Sequence, residues 1–451
     1  MSKHPIQLSD HFTYSRLLRF VTPSIMMMIF TSIYGVVDGF FVSNYVGKTP
    51  FAALNFIMPF IMILGGMGFI VGTGGSALVA KELGCGQKER ANRIFSLLIA
   101  FVIIMGIALS VLGIVFIRPI AQLMGASETM LEDCVLYGRV IIAFTTAYML
   151  QNVFQSFLIV AERPRVGLAV VIAAGVTNMV LDALFIAVFR WGLAGAALAT
   201  ALSQVVSFCI LLTMCNTKAD ALSIRLSHFK PSLRIYGGIC YNGIPSLGRQ
   251  GIASISNILL NNAAGVYGDA AIAAMSIVCR YAMFINSSVI GFGQGFQPVC
   301  GFSYGAGKFG RVREAFWFCV KVVTVILVVL CVISLPFSGQ IIALFRRDDP
   351  QVIEIGTLAL RLQLLTLPLW GYITMCNMFT QAIGYGVRST IISTARQGIF
   401  LIPALLIFPR IFGLLGIQIS QPVADICTLA LCIAMMSGIL RQLKAREANA
   451  G

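Results

Sequence analysis

Phe95-Ser-Leu-Leu-Ile-Ala-Phe-Val-Ile-Ile-Met-Gly-Ile-Ala-Leu-Ser-Val-Leu-Gly-Ile-Val-Phe-Ile117 runs for 23 residues without a charge and is apolar on every side. A hydrocarbon layer about 30 Å thick is crossed by roughly 20 such residues in a helix, which satisfies every backbone N–H and C=O internally. A barrel strand would instead alternate apolar and polar residues over about ten positions. The stretch reads as a membrane-spanning helix. Runs of similar length recur along the chain at 17–43, 51–79, 94–117, 135–161, 166–189 and 193–215, then at 238–265, 270–303, 314–337, 355–385, 390–409 and 413–440. The predicted fold class is an all-α polytopic membrane protein of twelve transmembrane helices.

Composition agrees. Of 451 residues, 58% are hydrophobic and 11% charged, against about a quarter charged in a soluble domain. That excludes an ordinary cytosolic enzyme or nucleic-acid-binding module. The net charge of +15 has a different origin, because the basic residues sit between the apolar runs. With Arg249, Arg280 and Lys321 set aside as lying inside or at the start of spans, 21 of them fall at the termini and after even-numbered spans, and 8 after odd-numbered ones. The positive-inside rule then puts both termini in the cytoplasm. The first apolar stretch runs on to about Val46 without a short h-region and cleavage site, so it is expected to stay as a span. Cys209, Cys331 and Cys432 lie within runs and read as small packing residues rather than metal ligands or disulfide partners.

The halves resemble each other. Gly47, Ala52, Gly84, Gly86, Arg90 and Phe95 recur 221 residues later as Gly268, Ala273, Gly305, Gly307, Arg311 and Phe316, and Gly192-Leu193-x-Gly195 recurs as Gly413-Leu414-x-Gly416. Pro23-Ser24 recurs as Pro245-Ser246 at 222, and Asn152-x-Phe154 as Asn377-x-Phe379 at 225. Two six-helix lobes are expected, 1–215 and 236–451, joined by a cytoplasmic linker at 216–235. An even number of spans per copy gives both lobes the same orientation, related by a pseudo-two-fold axis along the membrane normal. Two such bundles can rock about a central cavity, the physical basis of alternating access.

Asp38, Asp182 and Asp425 fall well inside spans. A charge at mid-bilayer costs about 2.5–3.5 kcal/mol or more, so each is a functional candidate. Asn178 and Asp182 are four residues apart on one helical face, with Thr177 near; Tyr34 is one turn before Asp38, and Thr200 one turn before Gln204. Two carboxylates with amide and hydroxyl oxygens suit either an oxygen cage for a small cation or a shared proton. Otherwise they join helices. Asp425 fits a structural role equally well, with Arg249 and Arg280 as its expected partners or as contacts for anionic groups. Gly65, Gly66, Gly72, Gly74 and Gly75 fit a hinge or close helix packing, the commoner role. Met26 to Met28 fit an adaptable surface or lipid contact. Met58, Gln151, Asn152, Gln155, Asn257, Tyr281, Asn286 and Asn377 are the polar, aromatic or Met positions expected to line a substrate cavity.

The run Gly291-Phe-Gly-Gln-Gly-Phe-Gln-Pro-Val-Cys-Gly-Phe-Ser-Tyr-Gly-Ala-Gly-Lys308, with Arg311-Val-Arg-Glu314 beyond it, resembles the eighth-helix signature of the multidrug and toxic compound extrusion (MATE) transporters. The region from Pro23 to Pro59 is similar to that family's first two helices, and the likeness covers essentially the whole chain. The branch it most resembles holds the DNA-damage-inducible F and MepA-type pumps. That resemblance implies a cation site for a proton, or a sodium ion as the metal, at Asp38, Asn178, Asp182 and Thr200, with Tyr34, Tyr137 and Asn152 in support. The NorM branch keeps acidic residues on its seventh and tenth helices, and this chain has none in Gly238–Gly265 or Ala359–Gly384. The implied function is cation-coupled efflux of amphipathic, often cationic compounds from the inner membrane, by a monomer with no cofactor beyond the coupling ion. A flippase for lipid-linked precursors is the alternative, and would want several cations in its cavity. No nucleophile motif or metal cluster points to an enzyme, and His4, His11 and His228 lie outside the spans.

Overall fold

The computed structural model describes Leu8 and residues 14–124, 126–215, 232–345 and 349–450. All three histidines, most of the inter-lobe linker and the loop residues 346–348 lie outside that set, as do some side chains within helices, Tyr34 among them. Among the described residues there is no strand, and the chain divides into two compact units, Met1–Gly243 and Ile244–Gly451.

The first unit contains α1 (Tyr14–Phe41), α2 (Lys48–Gly84), α3 (Lys88–Leu123), α4 (Glu128–Ala143), α5 (Thr145–Val160), α6 (Pro164–Asp182) and α7 (Gly192–Cys215), with π-helical turns at Val42–Val46 and Ala183–Val188. Helix α3 shows why these elements need a membrane. Leu98, Val102, Gly106, Ser110, Gly113 and Ile117 form a buried stripe at helical spacing, yet the opposite face is Ile103, Ile104, Ile107, Val111, Leu112 and Val115, all exposed. A soluble helix would place polar residues there. Helix α2 meets α5 closely, and a Cβ built on Gly65 would lie 2.1 Å from the Tyr148 ring. Gly74 and Gly75 face similarly tight neighbours, at 2.4 and 1.9 Å, and Gly72 a looser one at 3.1 Å, which favours packing over a hinge; Gly66 alone of this group faces open space.

Helix α8 (Leu233–Gly265) starts in the first unit and continues into the second, followed by α9 (Asp269–Gly305), α10 (Phe309–Ser334), α11 (Ser338–Phe345), α12 (Pro350–Thr366), α13 (Leu369–Ala382), α14 (Gly386–Thr394), α15 (Leu401–Phe412) and α16 (Leu414–Ala450). A π-helical turn, Ala395–Ile399, lies between α14 and α15. The described residues hold nine spans apolar enough to cross alone, or eleven when α4 with α5 and α12 with α13 each count as one. The twelfth is α8, less apolar because it carries Asn242, Arg249, Gln250, Asn257, Asn261 and Asn262. The sequence reads 135–161 and 355–385 as single spans, whereas the structure bends them by 52° and 56°. Pro368, without an N–H, sits in the second break; no proline marks the first. Cys331 and Cys432 pack inside, but Cys209 is exposed.

Candidate cation site and its surroundings

Helix α6 packs against both α1 and α7, and this places Asp38, Asn178, Asp182 and Thr200 around one point in the first unit. Asp182 is 0% exposed and Asn178 1%. One turn of α6 separates them, so both side chains leave the same face. The Asn178 amide donates to the Thr200 hydroxyl at 3.4 Å, which turns its oxygen away from that contact. The carboxyl groups of Asp38 and Asp182 face each other within reach of a shared proton, and buried Tyr137 faces both.

What distinguishes the site is its unmet oxygens. Oδ1 of Asp38, both carboxylate oxygens of Asp182 and Oδ1 of Asn178 are sealed from solvent with no hydrogen-bond donor among the described residues. Two ionised carboxylates are acceptors only and give each other nothing. Such an arrangement is costly without a proton or cation to neutralise it. The donor set is all hard oxygen, which suits Na+ as well as H+. Thr177 is not part of it, because its hydroxyl donates to Ala173 O at 2.8 Å on its own helix.

The remaining candidates are scattered. Asn152 is buried beside Gly72 of α2 and Ser156, with no described contact to the carboxylates. Gln155 Nε2 lies 3.6 Å from Met27 Sδ, Gln151 is buried, and Met58 packs on an apolar cluster with Ile57 and Ile61. In the second unit Tyr281 hydrogen-bonds Ser334, Asn257 is exposed and Asn286 half-buried. Asn377 accepts from Arg249 Nη1 at 3.0 Å and donates to Ser389 O at 2.9 Å.

The expected partners of Asp425 need correcting. Arg249 bonds Asn377 and Arg280 is exposed; the ion pair is with Arg396, whose Nε lies 2.8 Å from Asp425 Oδ1. Arg396 counts as a loop cation in the charge tally although it falls inside the predicted 390–409 span, and that position was the available signal. It matters because intramembrane cations seek counter-charges.

A family model for MatE matches residues 23–184 and again residues 245–406. The chain belongs to the MatE family. Members of this family are transporters rather than enzymes, and the doubled match falls on the same internal repeat that the glycine pattern marks. The multidrug export protein MepA of Staphylococcus saprophyticus is 26% identical over 418 residues, 92% of each chain. MepA of Staphylococcus haemolyticus is 23% identical over 436 residues, 97% of this chain and 96% of the other. A crystal structure of a MATE protein in complex with MaL6 matches with a TM-score of 0.93 at 24% identity, over 98% of this chain and all of that one, and shows the shared two-lobe, twelve-helix fold.

Proposed function

We propose that this MatE protein is a multidrug efflux transporter that exports amphipathic, often cationic small molecules by alternating access, in exchange for a proton or sodium ion. The observation that carries the reading is the facing pair of half-buried Asp38 and fully buried Asp182, with unmet oxygens in a lobe built from apolar helices. The relatives named as multidrug export proteins support the substrate class.

Asp38 rides on α1 and Asp182 on α6. With both ionised, like charges push these helices apart. A proton shared between the carboxyl groups replaces that repulsion with a hydrogen bond; a sodium ion would instead draw in the oxygens of Asp38, Asn178, Asp182 and Thr200. Either, taken up in the outward-open state, draws α1 onto α6, and this change in first-lobe packing releases the bound drug. One proton entering down about 100 mV supplies about 2.3 kcal/mol and one pH unit about 1.4, enough for a few-hundredfold gradient of an uncharged drug at one-to-one exchange; for a monocation the two charge movements cancel and the pH unit alone supports about tenfold. In this reading the protein sits in the inner membrane, and the distribution of basic loops supports cytoplasmic termini. Each chain carries all four site residues, so a monomer suffices.

Ethidium efflux from proteoliposomes under an imposed pH gradient, with and without sodium, tests this. Energy-dependent export is expected, and Asp38→Asn or Asp182→Asn is expected to reduce it to background while the protein still inserts. Normal coupled export by both variants would sink the reading.

A further inference from the structure

Arg249 sits midway along α8, in a helix the membrane encloses. Its only described hydrogen bond is Nη1 to Asn377 Oδ1, 3.0 Å away. The Asn377 amide is itself oriented, because Nδ2 donates to both the backbone oxygen of Ser389 at 2.9 Å and its Oγ at 3.3 Å. The acceptor therefore faces the guanidinium by construction. No carboxylate among the described residues acts on Arg249; on α16, Asp425 is taken by Arg396 and Glu447 by Arg313.

Arg249 is half-buried, and neither Nε nor Nη2 has a hydrogen bond to a described residue. A membrane-depth cation with unused N–H groups and no counter-charge among the described residues calls for an anion from elsewhere. Its planar fork fits the two oxygens of a carboxylate or phosphate. The repeat sharpens the point. At the spacing of 222 that pairs Pro23 with Pro245, Arg249 corresponds to Met27, which is 1% exposed. Asp38 corresponds at the same spacing to Leu260, which is also buried. The first lobe thus presents unmatched carboxylates, the second an unmatched guanidinium.

We propose that Arg249, held by Asn377, is an anion-recognition point in the second lobe that binds a carboxylate or phosphate carried by an amphipathic ligand. This rests on the transporter reading and names the residue that engages an acidic group on the ligand.

The test is equilibrium binding to the purified full-length protein in phosphatidylcholine nanodiscs, with no gradient. The probes are norfloxacin, which has a free carboxylate, and norfloxacin ethyl ester, which does not. Wild type is expected to prefer the acid by about tenfold or more, the scale of a charge-assisted bidentate contact. In Arg249→Gln the ratio of the two affinities falls to about one. Arg249→Lys keeps the charge but not the fork, so its ratio lies between. A wild type that does not discriminate, or a Gln variant that keeps the wild-type ratio, overturns the proposal. If the Gln variant does not fold, a Lys variant with the wild-type ratio overturns it as well. Repeating the measurement with phosphatidylglycerol in the nanodisc assigns the source. Competition in wild type but not in Arg249→Lys or →Gln means a lipid phosphate, and no competition means a soluble amphiphile. The Asp182→Asn background separates the two ideas, since a failed coupling mechanism leaves the affinity ratio intact.

Discussion

Arg396 and Asp425 meet at 2.8 Å with the carboxylate fully buried and the guanidinium 12% exposed, and the pair joins the π-helical turn after α14 to the first third of α16. Gln421 Nε2 donates to the same oxygen at 2.9 Å. The other oxygen accepts from Thr366 Oγ1 at 2.9 Å and Trp370 Nε1 at 2.7 Å. Thr366 ends α12 and Trp370 lies in the first turn of α13, so one carboxylate oxygen holds both sides of the 56° bend. The guanidinium also lies 3.8 Å above the Trp370 ring. The contrast with Asp182 is plain: one intramembrane carboxylate has every acceptor filled by a tethered cation and neutral donors, the other has none filled.

Removing one partner of such a pair leaves an uncompensated buried charge, which typically costs about 3–5 kcal/mol. Arg396→Met is therefore expected to lower the melting temperature in detergent by several degrees or more. The double variant Arg396→Met with Asp425→Asn, neutral on both sides, is expected to recover most of that loss. Equal melting of the single variant and wild type would show that the pair pins nothing.

Thr200→Val deletes the acceptor of the Asn178 amide, a long neutral hydrogen bond of about 0.5–1 kcal/mol. The expected effect is a two- to fivefold weaker apparent affinity for the coupling ion, read from efflux against external pH or sodium. Thr177→Val, whose hydroxyl bonds its own helix, should leave that titration where it was.

A methyl group at Gly74 would lie 2.4 Å from Ile239 O, and one at Gly243 would lie 2.2 Å from Ile70 O. Backbone atoms cannot step aside cheaply, so Gly74→Ala and Gly243→Ala should each cost about 1–3 kcal/mol. Gly66 has nothing within 4 Å of that position, and Gly66→Ala should be neutral or stabilising. Thermal melts of the three variants distinguish the sites.

Asp349 caps α12, its Oδ1 accepting from the backbone N–H groups of Gln351 at 3.1 Å and Val352 at 3.3 Å. Asp349→Ala should cost about 1 kcal/mol, and Asp349→Asn much less. A melt in which the two variants behave alike would remove the cap from the account.

Much of this was legible from residue order. Apolar runs near 20 residues announce helices in a bilayer, the recurring glycines announce a duplicated lobe, and Asn178 one turn before Asp182 announces a shared face. The π-helical turns, the bends in the α4–α5 and α12–α13 spans, and the identity of Asp425's partner were not legible in the same way. Arg396 lies 29 residues before Asp425, and nothing in their spacing along the chain distinguishes it from Arg249 or Arg280.

Hydropathy is a property of each segment summed over its own residues, so it survives reading in one dimension; that is why the class, the helices and the list of costly charges follow from the chain alone. Whether a buried charge is satisfied is a property of pairs. Asp425 and Asp182 look alike in the sequence, and they part only when segments distant along the chain bring three donors to one, beside Gln421 of its own helix, and leave the other facing a second carboxylate.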